Sequence, residues 1–208
     1  RFRGLNYGIK GVYMSQESGM FLLWENFQNA YIPLDSNLYT TKSSLFHFDP
    51  HITLSTINGT HKIKARILKI SLDNSTNGIE TGKDMFSKTY YIDYKYKGRV
   101  NFLNSNIVIG GTSETVLADA EIFNGSNYGS TNSLYTFLEK KIKKLTLSFG
   151  CRYEFINIKT DKKISIESGD TTNNFSVNFP LFYTGMKYKI NPKNSLRAYW
   201  GQGIRFPS

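Results

Sequence analysis

Apolar and polar residues alternate along most of this chain with a period of two, the period at which strand side chains change face. The run Leu145 to Phe155 shows it most plainly. Leu145, Leu147, Phe149, Cys151, Tyr153 and Phe155 share one face, and Thr146, Ser148, Gly150, Arg152 and Glu154 share the other. The run Phe182 to Ile190 repeats it, with Phe182, Thr184, Met186, Tyr188 and Ile190 against Tyr183, Gly185 and Lys187. No segment sustains the 3.6-residue period of a helix.

The same pattern predicts about nine strands. The first runs from Leu5 to about Trp24, with a register change expected near Ser18-Gly19, where a glycine suggests a bulge. The second covers Ser44 to Ile57 and the third His61 to Leu72, joined by Asn58-Gly59, a tight hairpin signal. A fourth alternates Tyr90, Ile92, Tyr94 and Tyr96 with Thr89, Tyr91, Asp93 and Lys95. A turn at Lys97-Gly98 leads to a fifth strand ending near Glu114. The sixth covers Asn132 to Lys140, with a basic turn at Lys141 to Lys144; the seventh starts at Leu145, the eighth is the Phe182 run and the ninth begins at Ser195. The remaining stretches, Glu25 to Lys42, Asp73 to Lys83, Val116 to Thr131 and Thr160 to Thr172, read as polar loops.

A strand with one apolar and one charged face fits a sandwich or small barrel with a wet outside. It fits equally a transmembrane barrel with a wet inside. The connections favour the second. They alternate long and short, and the long ones, about 11 to 18 residues, exceed ordinary hairpin loops. An outer-membrane barrel puts its short turns on the periplasmic side and its long loops outside. Several strands also exceed the common globular length and approach the 9–11 residues that cross a bilayer.

Composition agrees with this. Of the 208 residues, 39% are hydrophobic and 15% aromatic, with fourteen Tyr and fifteen Phe but two Trp. The mean hydropathy is negative, which a membrane barrel tolerates because only alternate residues meet lipid. No stretch has the length and apolarity of a membrane helix. A net charge of +10 invites a nucleic-acid reading. The basic clusters are short, however (Lys62, Lys64 and Arg66; Lys140 to Lys144; Lys159 to Lys163), and no nucleic-acid motif accompanies them, so nucleic acid is not expected as a partner. Cys151 is the single cysteine, which leaves no disulfide framework or paired-cysteine metal site. It reads as a small packing residue. The chain starts without Met and stops within a patterned segment, so it reads as an internal fragment.

Catalytic signals are missing: there is no Ser-His-Asp set, no nucleophile elbow and no dinucleotide fingerprint. An enzyme is not expected, nor a cofactor. His47, Asp49 and His51 share a face at i, i+2 and i+4, and two imidazoles with a carboxylate are transition-metal chemistry. Same-face neighbours on a strand lie about 7 Å apart, which is long for three ligands on one ion. Pro50 between them suggests an irregular strand, and polar lining is the simpler reading. Aromatic residues in predicted loops, Phe27, Tyr31, Tyr39, Phe123 and Tyr128, are candidate ligand contacts, because loops on a rigid scaffold often carry binding. Tyr90, Tyr94, Tyr96, Tyr153 and Tyr188 suit the aromatic girdles of a membrane interface.

The closing segment, Leu196-Arg-Ala-Tyr-Trp-Gly-Gln-Gly-Ile-Arg-Phe-Pro-Ser208, resembles a mid-barrel segment of TonB-dependent outer-membrane receptors: an alternating strand, then Gly-x-Gly, an aliphatic or aromatic residue, Arg, x, Pro and Ser. The strand Leu145 to Phe155 resembles that family's L-x-x-G-x-R-Y-[DE] strand, with Cys151 where Ala is common. Tyr7-Gly-Ile-Lys-Gly11 and Phe21-Leu-Leu-Trp24 resemble receptors of the Bacteroidetes group. The resemblance covers the whole chain as barrel strands, and its specific motifs lie in residues 145–208. It implies an all-β, antiparallel up-and-down meander forming part of a 22-stranded transmembrane barrel, with residues 1–208 a partial barrel domain lacking the plug and the remaining strands. It implies a place in the outer membrane of a Gram-negative bacterium and outer-membrane lipid as a partner. The TonB complex of the inner membrane would be reached through the absent plug. The implied activity is energised uptake of a scarce ligand such as an iron–siderophore, cobalamin or oligosaccharide, with a surface lipoprotein as a further partner. A passive porin-like or structural barrel and a soluble antiparallel glycan-binding module are the alternatives that the strand pattern allows.

Overall fold

The computed structural model describes residues 4–21, 23–29, 32, 34, 38–81, 84–101, 104–120, 125–162 and 171–203. Among these, strands form one antiparallel meander. They are β1 (Leu5–Met20), β2 (Tyr39–Ser55), β3 (Gly59–Thr76), β4 (Ile79–Glu80), β5 (Met85–Val100), β6 (Ser105–Ala120), β7 (Gly125–Ile142), β8 (Leu145–Lys162), β9 (Thr171–Lys189) and β10 (Ser195–Gly201). Each pairs with its neighbour in the chain, except that the two-residue β4 only caps the end of β3, whose next partner is β5. Strands β1 and β10 are the two edges of this sheet.

The expected all-β meander is therefore present, but its strands are longer and its loops shorter than the alternation predicts. Apart from β4 and β10, the strands have 16–19 residues, well beyond the 9–11 needed to cross a bilayer. The predicted loop Val116 to Thr131 is mostly strand, with only 121–124 between β6 and β7. The predicted loops 73–83 and 160–172 shrink in the same way, and Asn77-Gly78 makes a tight turn with positive φ at both residues (52° and 77°). The linker 121–124 is no longer than 101–104 at the opposite end, so strict alternation of loop length does not hold. The turn expected at Lys97-Gly98 lies instead at 101–104, and β1 stops at Met20. β1 pairs with β2 without a break through Ser18 and Gly19, so the expected bulge is absent.

What separates the two ends of the sheet is where the apolar residues lie. Register places Leu5, Tyr7, Ile9 and Tyr13 of β1 on one face with Leu54, Ile52, Phe48 and Phe46 of β2. Ile63 and Ile67 of β3 continue that face, as do Tyr94, Ile92 and Tyr90 of β5. This apolar band starts at the short turns 56–58, 101–104, 143–144 and 190–194. Beyond it the same face turns polar, with Ser15 and Glu17 on β1, Ser71, Asp73 and Ser75 on β3, and Asn157 and Lys159 on β8. In those outer halves most residues on both faces are polar or small, and the alternation that marks a strand in sequence fades.

The band also slides along the strands. The pairing row that begins at Leu5 continues through Leu54, His61, Tyr96, Ile109 and Thr136 to Cys151. On β1 that row is the lower edge of the band, whereas on β8 three more outward apolar residues, Phe149, Leu147 and Leu145, lie below it. Six pairings thus shift the band by six residues. One residue per strand is about 3.3 Å of rise against about 4.8 Å of spacing, a tilt of roughly 35° from the membrane normal. Strands inclined by that amount are what a sheet needs to close into a barrel.

Burial places the two faces. Among the described residues, the buried Asn74, Ser133, Glu154 and Ile156 lie on the face opposite the band, and the buried Ser105, at the start of β6 beside the 101–104 turn, lies on the band's own face. Side chains crowd on the concave side of a curved sheet and splay on the convex side, so the band is convex. Leu134 is 65% exposed there and Ile9 71%. Ile156 is the sole buried hydrophobic among the described residues. A water-soluble sandwich of this size needs a two-sided apolar core, and this sheet buries its apolar face against no other layer.

The turn between β7 and β8 holds Lys143 at φ 50°, a left-handed conformation that costs a branched side chain about 1–2 kcal/mol. We expect Lys143→Val to lower the urea midpoint of the folded receptor and Lys143→Asn to leave it unchanged, since Asn adopts this conformation readily. Equal midpoints for the two variants would show that the turn is not held in this geometry.

Candidate functional site

The concave face carries the chemistry, and register assembles it from residues distant in sequence. Asp49 of β2 lies opposite Lys10 of β1, and across from β3 its carboxylate takes both arms of Arg66. Arg66 Nε donates to Oδ1 and Nη2 to Oδ2, each at 2.9 Å, the bidentate geometry that guanidinium and carboxylate favour. His47 Nε2 stands 2.7 Å from Asp49 Oδ2, a close approach without hydrogen-bond alignment. One strand further, Tyr91 of β5 sits opposite Arg66, and Asp93 opposite Lys64. Asp93 accepts a hydrogen bond from the Tyr135 hydroxyl of β7 at 3.1 Å, reaching across β6 over Gly110. On β8, Arg152 and Glu154 stand on the same face, with Arg152 Nε 2.5 Å from Glu154 Oε1, again unaligned for a hydrogen bond.

Two open depressions flank the Tyr91–Asp93 ledge. One, of about 700 Å³, is lined by Tyr91, Asp93, Lys95, Tyr135, Phe137, Arg152, Tyr183 and Gln202. The other, of about 800 Å³, is lined by Lys10, Asp49, His51, Lys62, Lys64, Arg66 and Glu114 along with the same ledge. Cations outnumber carboxylates in the second, and Lys62 and Lys95 lie directly opposite each other. An excess of cations in a cleft attracts anions.

The sequence candidates fall into three groups. His47, Asp49 and His51 do share the concave face: Asp49 and Pro50 pair with Lys10 and Ile9 without a bulge, and the irregularity expected at Pro50 is found on the other side of the strand, where the pairing with β3 skips Asp49 and Pro50. Both oxygens of Asp49 are committed to Arg66, the His51 ring lies against Gly8, and no cluster of three metal-ligating residues occurs among the described residues. Of the loop aromatics, Phe27 is 93% exposed in the segment between β1 and β2. Tyr31 and Phe123 lie outside the described residues. Tyr39 and Tyr128 are strand residues and not loop residues. Tyr39 pairs with Met20 and Thr76 on the concave side, and Tyr128 pairs with Leu117 and Lys159 on the convex side, away from the lumen. The girdle tyrosines Tyr90, Tyr94, Tyr96, Tyr153 and Tyr188 all lie on the convex face. Tyr96 is placed as an interfacial ring should be, its hydroxyl donating to Asn58 O in the β2–β3 turn at 3.0 Å. Register alone brings Arg66 to Asp49 and Tyr135 to Asp93, and those two contacts were not foreseen.

A tilted antiparallel meander with a lipid-facing convex band at one end of its strands and a charged concave wall defines the wall of an outer-membrane β-barrel. The family model described as "TonB dependent receptor-like, beta-barrel" matches residues 6–208, and the chain belongs to that family. Its members are outer-membrane receptors and transporters of Gram-negative bacteria, not enzymes. A search of curated proteins returns no match.

Proposed function

We propose that residues 1–208 are a partial barrel domain in a receptor that imports a scarce ligand with energy from the TonB complex. The reading places these strands in a closed barrel of 22, plugged by a separate domain through which the inner-membrane complex acts. The ligand class is an iron–siderophore, cobalamin or oligosaccharide, and a surface lipoprotein is a further partner. Membership of the receptor family over residues 6–208 carries this reading. The concave wall supports it. Asp49–Arg66, Asp93–Tyr135 and Arg152–Glu154 hold polar groups in fixed places along the lumen, where a moving ligand or plug would meet them. Phe27, Tyr31 and Phe123 remain the loop aromatics proposed to meet ligand first.

The test is uptake by cells carrying the whole receptor, with labelled ferric siderophores, cobalamin and oligosaccharides offered in turn. Uptake of one ligand class should be saturable and should stop when a protonophore collapses the proton gradient. Uptake that persists without the gradient and rises linearly with concentration would instead identify a passive channel.

A further inference from the structure

We propose that the convex face carries a binding site for the phosphate of an anionic lipid headgroup, centred on Lys69 and Lys88. The site rests on the membrane placement of the barrel and not on what the receptor transports. Register puts Phe46, Lys69, Lys88, Leu117, Tyr128 and Lys159 side by side on six successive long strands. On β3 and β5 the apolar band ends one outward residue below this row, at Ile67 and Tyr90. Lys69 and Lys88 therefore stand at headgroup height on the side away from the short turns.

Lys69 and Lys88 are direct cross-strand neighbours. Like charges in that arrangement repel, and among the described residues no ion pair involves either of them. Aromatic rings hold both ammonium groups at the surface: Lys69 Nζ lies 6.0 Å from the centroid of Phe46, and Lys88 Nζ 4.4 Å from that of Phe86. The nearby outward carboxylate of Asp119 lies opposite Phe86 and accepts from Ser126 Oγ at 2.7 Å. Two cations about 5 Å apart at their Cβ atoms leave room for one phosphate to accept from both, and an anion there relieves their repulsion.

The neighbouring surface selects a lipid over a small ion. A shallow cavity of about 250 Å³ runs from Phe86 across Leu117 to Tyr128 and Lys159, with the hydrogen-bonded pair Asp119 and Ser126 also on its wall. These three apolar or aromatic side chains stand above the band, where the other strands show Ser, Asp and Asn. They offer contact to the hydrocarbon or glycerol part of a lipid whose phosphate is held by the lysine pair.

The whole receptor would be placed in nanodiscs of equal phosphatidylglycerol and phosphatidylcholine, released in mild detergent, and its retained lipid counted by native mass spectrometry. The expected result is enrichment of phosphatidylglycerol on the wild type, a drop of about tenfold in K69Q/K88Q and retention in K69R/K88R. Equal retention of the two lipids by the wild type would overturn the proposal, and that arm stands even if the glutamine variant fails to fold. Undiminished phosphatidylglycerol on a folded K69Q/K88Q receptor would overturn it as well. Displacement of the lipid by millimolar inorganic phosphate would overturn the lipid as occupant. Ligand uptake is not a readout here, so failure of this site leaves the transport reading untouched.

Discussion

Phe149→Arg is expected to destabilise the folded receptor by about 2–4 kcal/mol, and Thr146→Arg, three residues away, by far less. Phe149 lies on the convex face between Leu138 of β7 and Thr184 of β9, and half of its surface is exposed. Leu145 and Leu147 lie below it and Cys151, Tyr153 and Phe155 above, so the ring sits within the apolar band. A guanidinium there has no water and no carboxylate within reach, since the adjacent convex residues are Leu138, Thr184 and Phe182. Thr146 pairs with Lys141 and Lys187 on the concave face, where water solvates an added charge. Urea unfolding of the receptor in lipid vesicles measures the difference. Equal midpoints for the two arginine variants would mean that the convex face does not meet lipid. That result would remove the membrane assignment and the lysine-pair site together.

The same contrast explains which parts of the fold were legible in the sequence. Leu145 to Phe155 is readable because each residue meets either lipid or water, and the side-chain types follow. Strands β6 and β7 beyond Val116 and before Thr131 are illegible because most of their residues on both faces are small or polar; Ser126, Asn127, Gly129 and Ser130 then resemble a loop although they pair with Asp119, Ala118, Val116 and Thr115. Gly98 misled for a different reason. It pairs with Gly59, and the Tyr96 ring folds over both, so these glycines make room for an interfacial aromatic and Gly98 does not mark a turn. The concave wall was legible only within single strands. Arg152 and Glu154 are two residues apart, and their shared face follows from period two. Asp49 with Arg66, and Asp93 with Tyr135, depend on pairing registers that a sequence of degenerate alternation does not specify.

Gly110→Val is expected to be among the most damaging single changes in the chain, costing about 3 kcal/mol or more. Gly110 faces the lumen from the middle of β6, between Lys95 of β5 and Tyr135 of β7. A Cβ added there would fall 2.4 Å from the backbone oxygen of Tyr94, 2.4 Å from the Tyr135 hydroxyl and 2.5 Å from its Cζ. The Tyr135 ring lies across the bare glycine backbone, an aromatic covering a glycine inside a sheet, and this brings its hydroxyl to Asp93. The ring moves aside only by giving up that bond to a carboxylate, about 1.5–3 kcal/mol when the acceptor is charged. The Tyr94 carbonyl cannot retreat without opening the β5–β6 ladder. Tyr135→Ala in the Gly110→Val background should therefore recover only part of the loss, because the backbone collision remains. Gly129→Val on β7 is the matched control, since a Cβ there meets nothing within 4 Å. Heat-modifiable gel mobility and urea midpoints report both variants. If Gly110→Val folds as well as Gly129→Val, Tyr135 does not lie over Gly110, and the Tyr91–Asp93 ledge of the lumen wall is not held as described.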